Sequence, residues 1–161
     1  MYGSIGYNYL DSRDASSIEA EISSDAYDRN PAYGNVNQAV EAPSIYGNKH
    51  RIVGAFSKKF NYGGPEKSRF GTTIGVFFQY AQGGRFSYTY SGNLNNDGTP
   101  GNGVDNDLMY IPTDDQIDQM QFAGDADAQR TALKAFIAQD DYMKDRRGEI
   151  VEKYGILSPW F

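Results

Sequence analysis

Residues 93–107, "NLNNDGTPGNGVDND", place oxygen-bearing side chains at close to metal-ligand spacing. Asn93, Asn95 and Asp97, followed by Gly98, match the first, third, fifth and sixth positions of an EF-hand loop. In such a loop alternate oxygens wrap a calcium ion and a glycine permits the sharp turn. The match then weakens: Val104 stands where a bidentate glutamate is required, and Asp105 and Asp107 are the acids that follow. The calcium reading therefore names Asn93, Asn95, Asp97, Asp105 and Asp107. Against it stands a reading in which these residues are turn formers that bond their own backbone, and this second reading fits the pattern better. Phe86, Tyr88, Tyr90 and Tyr110 form another candidate set, aromatic faces able to stack on a sugar or peptide substrate. The alternative for them is packing.

Other chemistry finds little support. Asp114/Asp115 and Asp140/Asp141 are adjacent pairs, which any regular element points in different directions, unlike the facing carboxylates of a glycosidase. His50 is the sole histidine, and no Ser/His/Asp spacing accompanies it. Neither "GNGVDN" nor "GGPEKS" carries the lysine and hydroxyl of a phosphate loop. With no cysteine there is no disulfide, thiolate metal site or thiol nucleophile. The expectation is a protein that is not an enzyme. A formal charge of −6 without a basic stripe argues against nucleic acid as a partner.

The elements that must position these residues read mainly as strands. Tyrosine (13), phenylalanine (9) and glycine (18) are abundant in an otherwise polar chain of 161 residues, a composition suited to strands and turns. Residues 2–10 alternate, with Gly3, Ile5, Tyr7 and Tyr9 on one face. Residues 11–49 dissolve into Ser, Asp, Asn, Pro and Gly, a long loop with a weak helical hint over 17–22. A strand over 50–62 follows, with Ile52, Gly54, Phe56, Phe60 and Tyr62 on one face and Lys58 interrupting it. After a Gly/Pro turn, a third strand over 70–82 places Thr72, Ile74, Val76, Phe78 and Tyr80 together. Alternation resumes at Phe86, Tyr88 and Tyr90. Two strands this long exceed the usual five or six residues and meet the roughly 9–11 a tilted strand needs to cross a bilayer. Aromatic residues toward strand ends, short turns on one side and long loops on the other complete the pattern of an outer-membrane β-barrel. The last third changes period: 125–139 reads as a helix with Ala132, Leu133, Phe136 and Ile137 as its stripe, and 142–154 as a second one ended by Gly155.

Two stretches carry a resemblance: "QGGRFSYTYSGNLNNDGTPGNGVDNDLMYIP" and "FIAQDDYMKDRRGEIVEKYGILSPWF". Gly84, Phe86, Ser87 and Tyr90 lead into Asn93, Asn95, Asp97, Gly98, Asn106, Asp107, Leu108, Met109, Tyr110, Ile111 and Pro112. Gln139, Asp140, Tyr142, Arg147 and Gly148 follow, then Pro159, Trp160 and Phe161. The combination resembles the C-terminal barrel region of TonB-dependent outer-membrane receptors, in the Oar-like branch whose members carry a carboxypeptidase-regulatory-like domain. The resemblance is dense from about residue 30 onward and implies an antiparallel meander of long strands from an incomplete barrel, with long extracellular loops and a helical insert. On it, residues 1–90 hold membrane-type strands and the 11–49 loop, and 91–161 form an extracellular loop with the Asn/Asp/Gly turn and the helical insert.

The resemblance also implies a place in the cell outer membrane and lipid as a partner. Further partners would be the remainder of the barrel and its plug, and the TonB complex through that plug, in uptake of a large nutrient. The sequence shows no signal peptide, TonB box or plug, and only a few of the roughly 22 strands such transporters close with, so a fragment or truncated paralogue is expected. The competing expectation is a soluble all-β binding module with a helical appendage, with or without a dependence on calcium.

Overall fold

The computed structural model describes residues 1–18, 20–64, 70–96 and 105–159. In chain order its elements are β1 (Tyr2–Tyr9), β2 (Arg13–Asp14), α1 (Ser23–Asp28), β3 (Ala42–Pro43), β4 (His50–Tyr62), β5 (Phe70–Ala81), β6 (Arg85–Phe86), α2 (Asp114–Gln119), α3 (Ala126–Gln139) and β7 (Ile156–Leu157). The chain is mainly β, built from small antiparallel sheets with a few helices. The described residues form no closed barrel. Packing divides the chain into one unit of Met1–Ser12, Tyr46–Gly84 and Leu157–Phe161 and another of Arg13–Ile45 and Arg85–Ile156. This division differs from a boundary at residue 90, because the 13–45 part of the long loop belongs with the C-terminal half.

The first unit is a three-stranded antiparallel sheet in the order β1-β4-β5. Its register puts Ile5 opposite Gly54 and Tyr7 opposite Ile52 on one side, and Gly54 opposite Phe78, Phe56 opposite Val76 and Tyr62 opposite Phe70 on the other. Because side chains alternate along a strand, one face collects Ile5, Tyr7, Tyr9, Ile52, Phe56, Phe60, Tyr62, Phe70, Ile74, Val76, Phe78 and Tyr80. The opposite face collects Ser4, Asn8, Arg51, Ser57, Lys59, Asn61, Thr73 and Gln79, with Tyr2, Val53 and Phe77 as its large apolar or aromatic exceptions. Every residue of β1, and every residue of β5 except Ala81, is exposed.

The second unit contains a hydrophobic core. Ile111, Ile117, Ile137, Met143 and Val151 are buried at its centre, joined by Ile156 and flanked by Tyr88, Met109, Met120, Phe122, Leu133 and Tyr142. Helix α3 starts where Asp125 caps it, its carboxylate accepting from Ala128 N at 3.1 Å. Only the Leu133/Ile137 edge of the expected stripe reaches the core; Phe136 stays exposed because a single face of the helix meets a partner. Helix α2 has a full capping box, in which Gln116 N donates to the Thr113 hydroxyl and Thr113 N donates to Gln116 Oε1.

Two expectations change. The second helix over 142–154 does not form: turns follow Asp140, and Gly148 takes a left-handed φ of 85°. The backbone there bonds elsewhere, with Gly148 N to Ile111 O and Val151 N to Met109 O, and those long-range bonds replace a helical ladder. The 17–22 helical hint lies beside the element found, a short α1 over Ser23–Asp28.

Candidate functional site

The segment from Asn106 to Ile111 is the hub of the second unit. Asn106 and Leu108 bond Ala32, Leu108 N donating to Ala32 O and Ala32 N to Asn106 O, while Met109 N donates to Tyr88 O and Tyr90 N to Asp107 O, all at 2.9–3.0 Å. Farther along, Ile111 N donates to Glu149 O at 2.8 Å, and Gly148 and Val151 return donors to Ile111 and Met109. Leu108 and Ile111, at 8% and 0% exposed, anchor it in apolar surroundings. A strand-like segment with both edges satisfied is rigid because its backbone groups have partners on either side.

The candidate aromatic residues surround this hub. Tyr88 Oη donates to Asp140 Oδ2 at 2.6 Å, and its ring meets Phe86 edge-on at 5.6 Å. Tyr90 Oη bridges the backbone of Tyr110, accepting from its N–H at 3.2 Å and donating to its carbonyl at 3.4 Å. Tyr110 Oη donates to Gln116 Oε1 at 3.0 Å. All three tyrosines are half-buried with hydroxyls committed to the protein. The Phe86 ring is the part of the set that stands most open.

Asp140 concentrates several bonds. Its Oδ1 accepts from the amides of Tyr142 (2.9 Å) and Met143 (2.8 Å) while Oδ2 accepts a hydrogen bond from the Tyr88 hydroxyl. Burial pushes the carboxyl up, but the hydrogen bonds from Tyr88, Met143 and Tyr142, with the Lys144 charge, outweigh it and hold the group below the usual carboxylate range. The same hydrogen bond, helped by burial and the Asp140 charge, pushes the Tyr88 phenol up to about 12. Arg147 ties in the neighbouring turn, donating to Pro112 O at 3.1 Å and pairing with Asp114 at 3.2 Å.

In the Asn/Asp/Gly stretch, Asp105 Oδ1 accepts from Gly92 N at 2.5 Å and Asp107 Oδ2 from Leu94 N at 2.8 Å. Asn95 Nδ2 donates to Gly34 O at 3.2 Å. These are turn-holding bonds of side chain to backbone. Asp97 and Gly98 lie outside the described residues, and so do Trp160 and Phe161. Among the described residues no group of three or more His, Asp or Glu side chains is arranged to hold a metal.

Sequence reasoning passed over a second polar cluster. Asp14, Ser17, Asn30, Ser44, Lys153 and Tyr154 meet inside the second unit. Ser17 Oγ bonds the Asp14 carboxylate at 2.6 Å and Ser44 Oγ at 3.2 Å, Tyr154 Oη reaches Ser17 O at 3.3 Å, and Lys153 Nζ reaches Ala15 O at 3.1 Å and Asn30 Oδ1. The Ser17 hydroxyl, then Ser44 and the Lys153 charge, hold the Asp14 carboxyl low against the opposing effect of burial. A lysine in a mixed-charge run carries no sequence mark of burial, so its neighbours Val151 and Tyr154 are the only local hint.

Comparison with family models, with curated proteins and with solved structures gives no match to the chain.

Proposed function

We propose that the chain contributes strands and external loops to the barrel of a TonB-dependent outer-membrane transporter. One observation carries this reading: a sheet of 12- and 13-residue strands with one largely apolar and largely exposed face, interrupted by His50, Lys58 and Thr72. A tilted strand needs roughly 9–11 residues to cross the hydrocarbon, which both long strands exceed. Tyr7, Tyr9 and Tyr80 cluster toward one end of the apolar face and Phe60, Tyr62 and Phe70 toward the other, with Ile5, Phe56, Ile74, Val76 and Phe78 between, the order of an aromatic-girdled lipid face. Lys58, the charge on that face, lies with its ammonium 4.9 Å from the Phe60 ring centre, so it leans toward the aromatic end as a snorkelling lysine would. The other face, with Arg51 bonded to Gln79 Oε1 at 2.7 Å, suits a polar lumen.

On this reading the unpaired edges of β1 and β5 take further strands of the same barrel, since an open edge has no solvent for its backbone in lipid. The second unit is then an external structure, and the partners are outer-membrane lipid, the remaining barrel and plug, and the TonB complex. Motif residues such as Ser87, Asp140, Arg147 and Gly148 act as its internal fasteners. Refolding the chain with phosphatidylcholine vesicles and floating the mixture tests the proposal. Co-flotation with protease protection of β4 and β5 is expected. A chain that stays monomeric without detergent and unfolds cooperatively overturns it in favour of a soluble β binding module.

A further inference from the structure

Two cavities open within the second unit, of about 360 and 320 Å³, and Asn30, Val36 and Gln38 line both. The smaller one has an apolar wall of Pro31, Val36, Val40, Leu108 and Val151, and Lys153 also lines it. Its volume falls within the range of small-molecule pockets, which pair an apolar lining with a few fixed polar groups.

Lys153 is the unusual residue. It is 7% exposed, and its Nζ donates to Ala15 O and Asn30 Oδ1, both neutral acceptors. Among the described residues it forms no ion pair. Asp14, the acid that acts on it through charge, has its carboxylate engaged by Ser17. Burial pushes the lysine down from its usual range and the Asp14 charge only partly offsets this. A buried ammonium is costly unless a counter-charge reaches it, and Asn30, which the ammonium contacts, lines the smaller cavity, so a ligand there has a route to it.

We propose that this cavity binds a small aliphatic monocarboxylate, its carboxylate at the Lys153 ammonium and its hydrocarbon against Val36, Val40, Leu108 and Val151. One ammonium matches one negative charge, and the apolar wall selects against strongly hydrated dianions such as phosphate. Glu152, which also lines the cavity, is exposed, so water and salt screen its repulsion. The site lies within the second unit and stands whether or not the three-stranded sheet lies in a bilayer.

Calorimetric titration of the full chain with 4-methylpentanoate, and with its neutral amide, tests the assignment. The acid is expected to bind at least about tenfold more tightly than the amide, the effect of one hydrogen bond to a charged group. Lys153→Met should erase that preference. Val40→Phe, at an exposed rim position, should fill the cavity and weaken both ligands without lowering the melting temperature. Absence of binding by the parent chain, or a preference for the acid that survives in Lys153→Met, overturns the proposal. Should Lys153→Met fail to fold, Val40→Phe decides: binding equal to the parent's overturns the site.

Discussion

The two units use apolar residues in opposite ways. In the second, modest aliphatics such as Ile111, Ile117, Ile137 and Met143 are wholly buried against one another. In the first, residues as large or larger stand in the open: Ile5 is 76% exposed, Phe70 65% and Phe78 46%. Burial of apolar area is the main drive for folding, at roughly 25 cal/mol per Å². The second unit supplies its own solvent-excluded medium. Among its described residues the first relies on hydrogen bonds and cross-strand contacts, and its exposed apolar face is the kind of surface that marks an interaction site.

Three substitutions, one of them with a control, break or sharpen that contrast, in decreasing order of effect. Ile137→Ala empties a site at the core centre and should cost the second unit about 2–5 kcal/mol. Hydrogen exchange should quicken in α3 and leave β4 and β5 unchanged; equal quickening in the sheet would mean that the units are not separate. Ile74→Lys puts a second charge on the apolar face, directly opposite Lys58, and should cost about 2–4 kcal/mol of vesicle-inserted stability. Thr73→Lys, one residue away on the other face, should cost far less, and equal costs would remove the sidedness. Tyr88→Phe deletes the hydrogen bond to Asp140 and should cost the second unit about 1.5–3 kcal/mol.

The Tyr88–Asp140 bond also sets two pH limits. Asp140 has a depressed folded pKa, so its contribution is present above the ordinary carboxylate value near ~3.9 and is lost as pH falls through the folded value. Tyr88 is raised, so its contribution is complete below the ordinary phenol value near ~10 and is lost as pH rises through about 12. Thermal melts across pH should show both limits in the parent chain. In Tyr88→Phe the alkaline limit should vanish and the acid one should shrink.

How much of this the sequence discloses follows from where the deciding interactions lie. Strands β4 and β5 are legible because a period of two persists over a dozen residues, and α3 because a period of 3.6 begins at a capping Asp125. Helix α2 also has a local mark, the Thr113…Gln116 box, which its adjacent aspartates obscure as an apparent acid pair. The region 142–154 misleads because Met143, Val151 and Tyr154 are apolar for burial in a turn-rich segment bonded to Met109 and Ile111, a distant stretch of chain. The Leu108–Pro112 stretch shows its anchoring role in composition, whereas the Lys153 cluster joins residues more than a hundred positions apart and has no local pattern.

The smallest effect concerns how a sheet without a core holds its register. Gly54 pairs with both Ile5 and Phe78, and a Cβ added there would meet Phe78 Cε1 and Cζ at 2.3 Å. The ring therefore lies across the glycine and shields backbone that has no side chain of its own, as cross-strand aromatics do over strand glycines. Gly54→Ala must displace the ring edge, which can swing, so the cost should be on the order of 1 kcal/mol. At Gly75, in the neighbouring strand, an added Cβ meets nothing within 4 Å, and Gly75→Ala should be neutral or stabilising by up to about 1 kcal/mol through the unfolded chain. Denaturation midpoints of the two variants, read from sheet signals, give the comparison. If Gly54→Ala costs no more than Gly75→Ala, the Phe78 ring is not fixed on its neighbour. Register in the first unit would then rest on the backbone ladder alone, leaving its apolar face free to repack against whatever covers it.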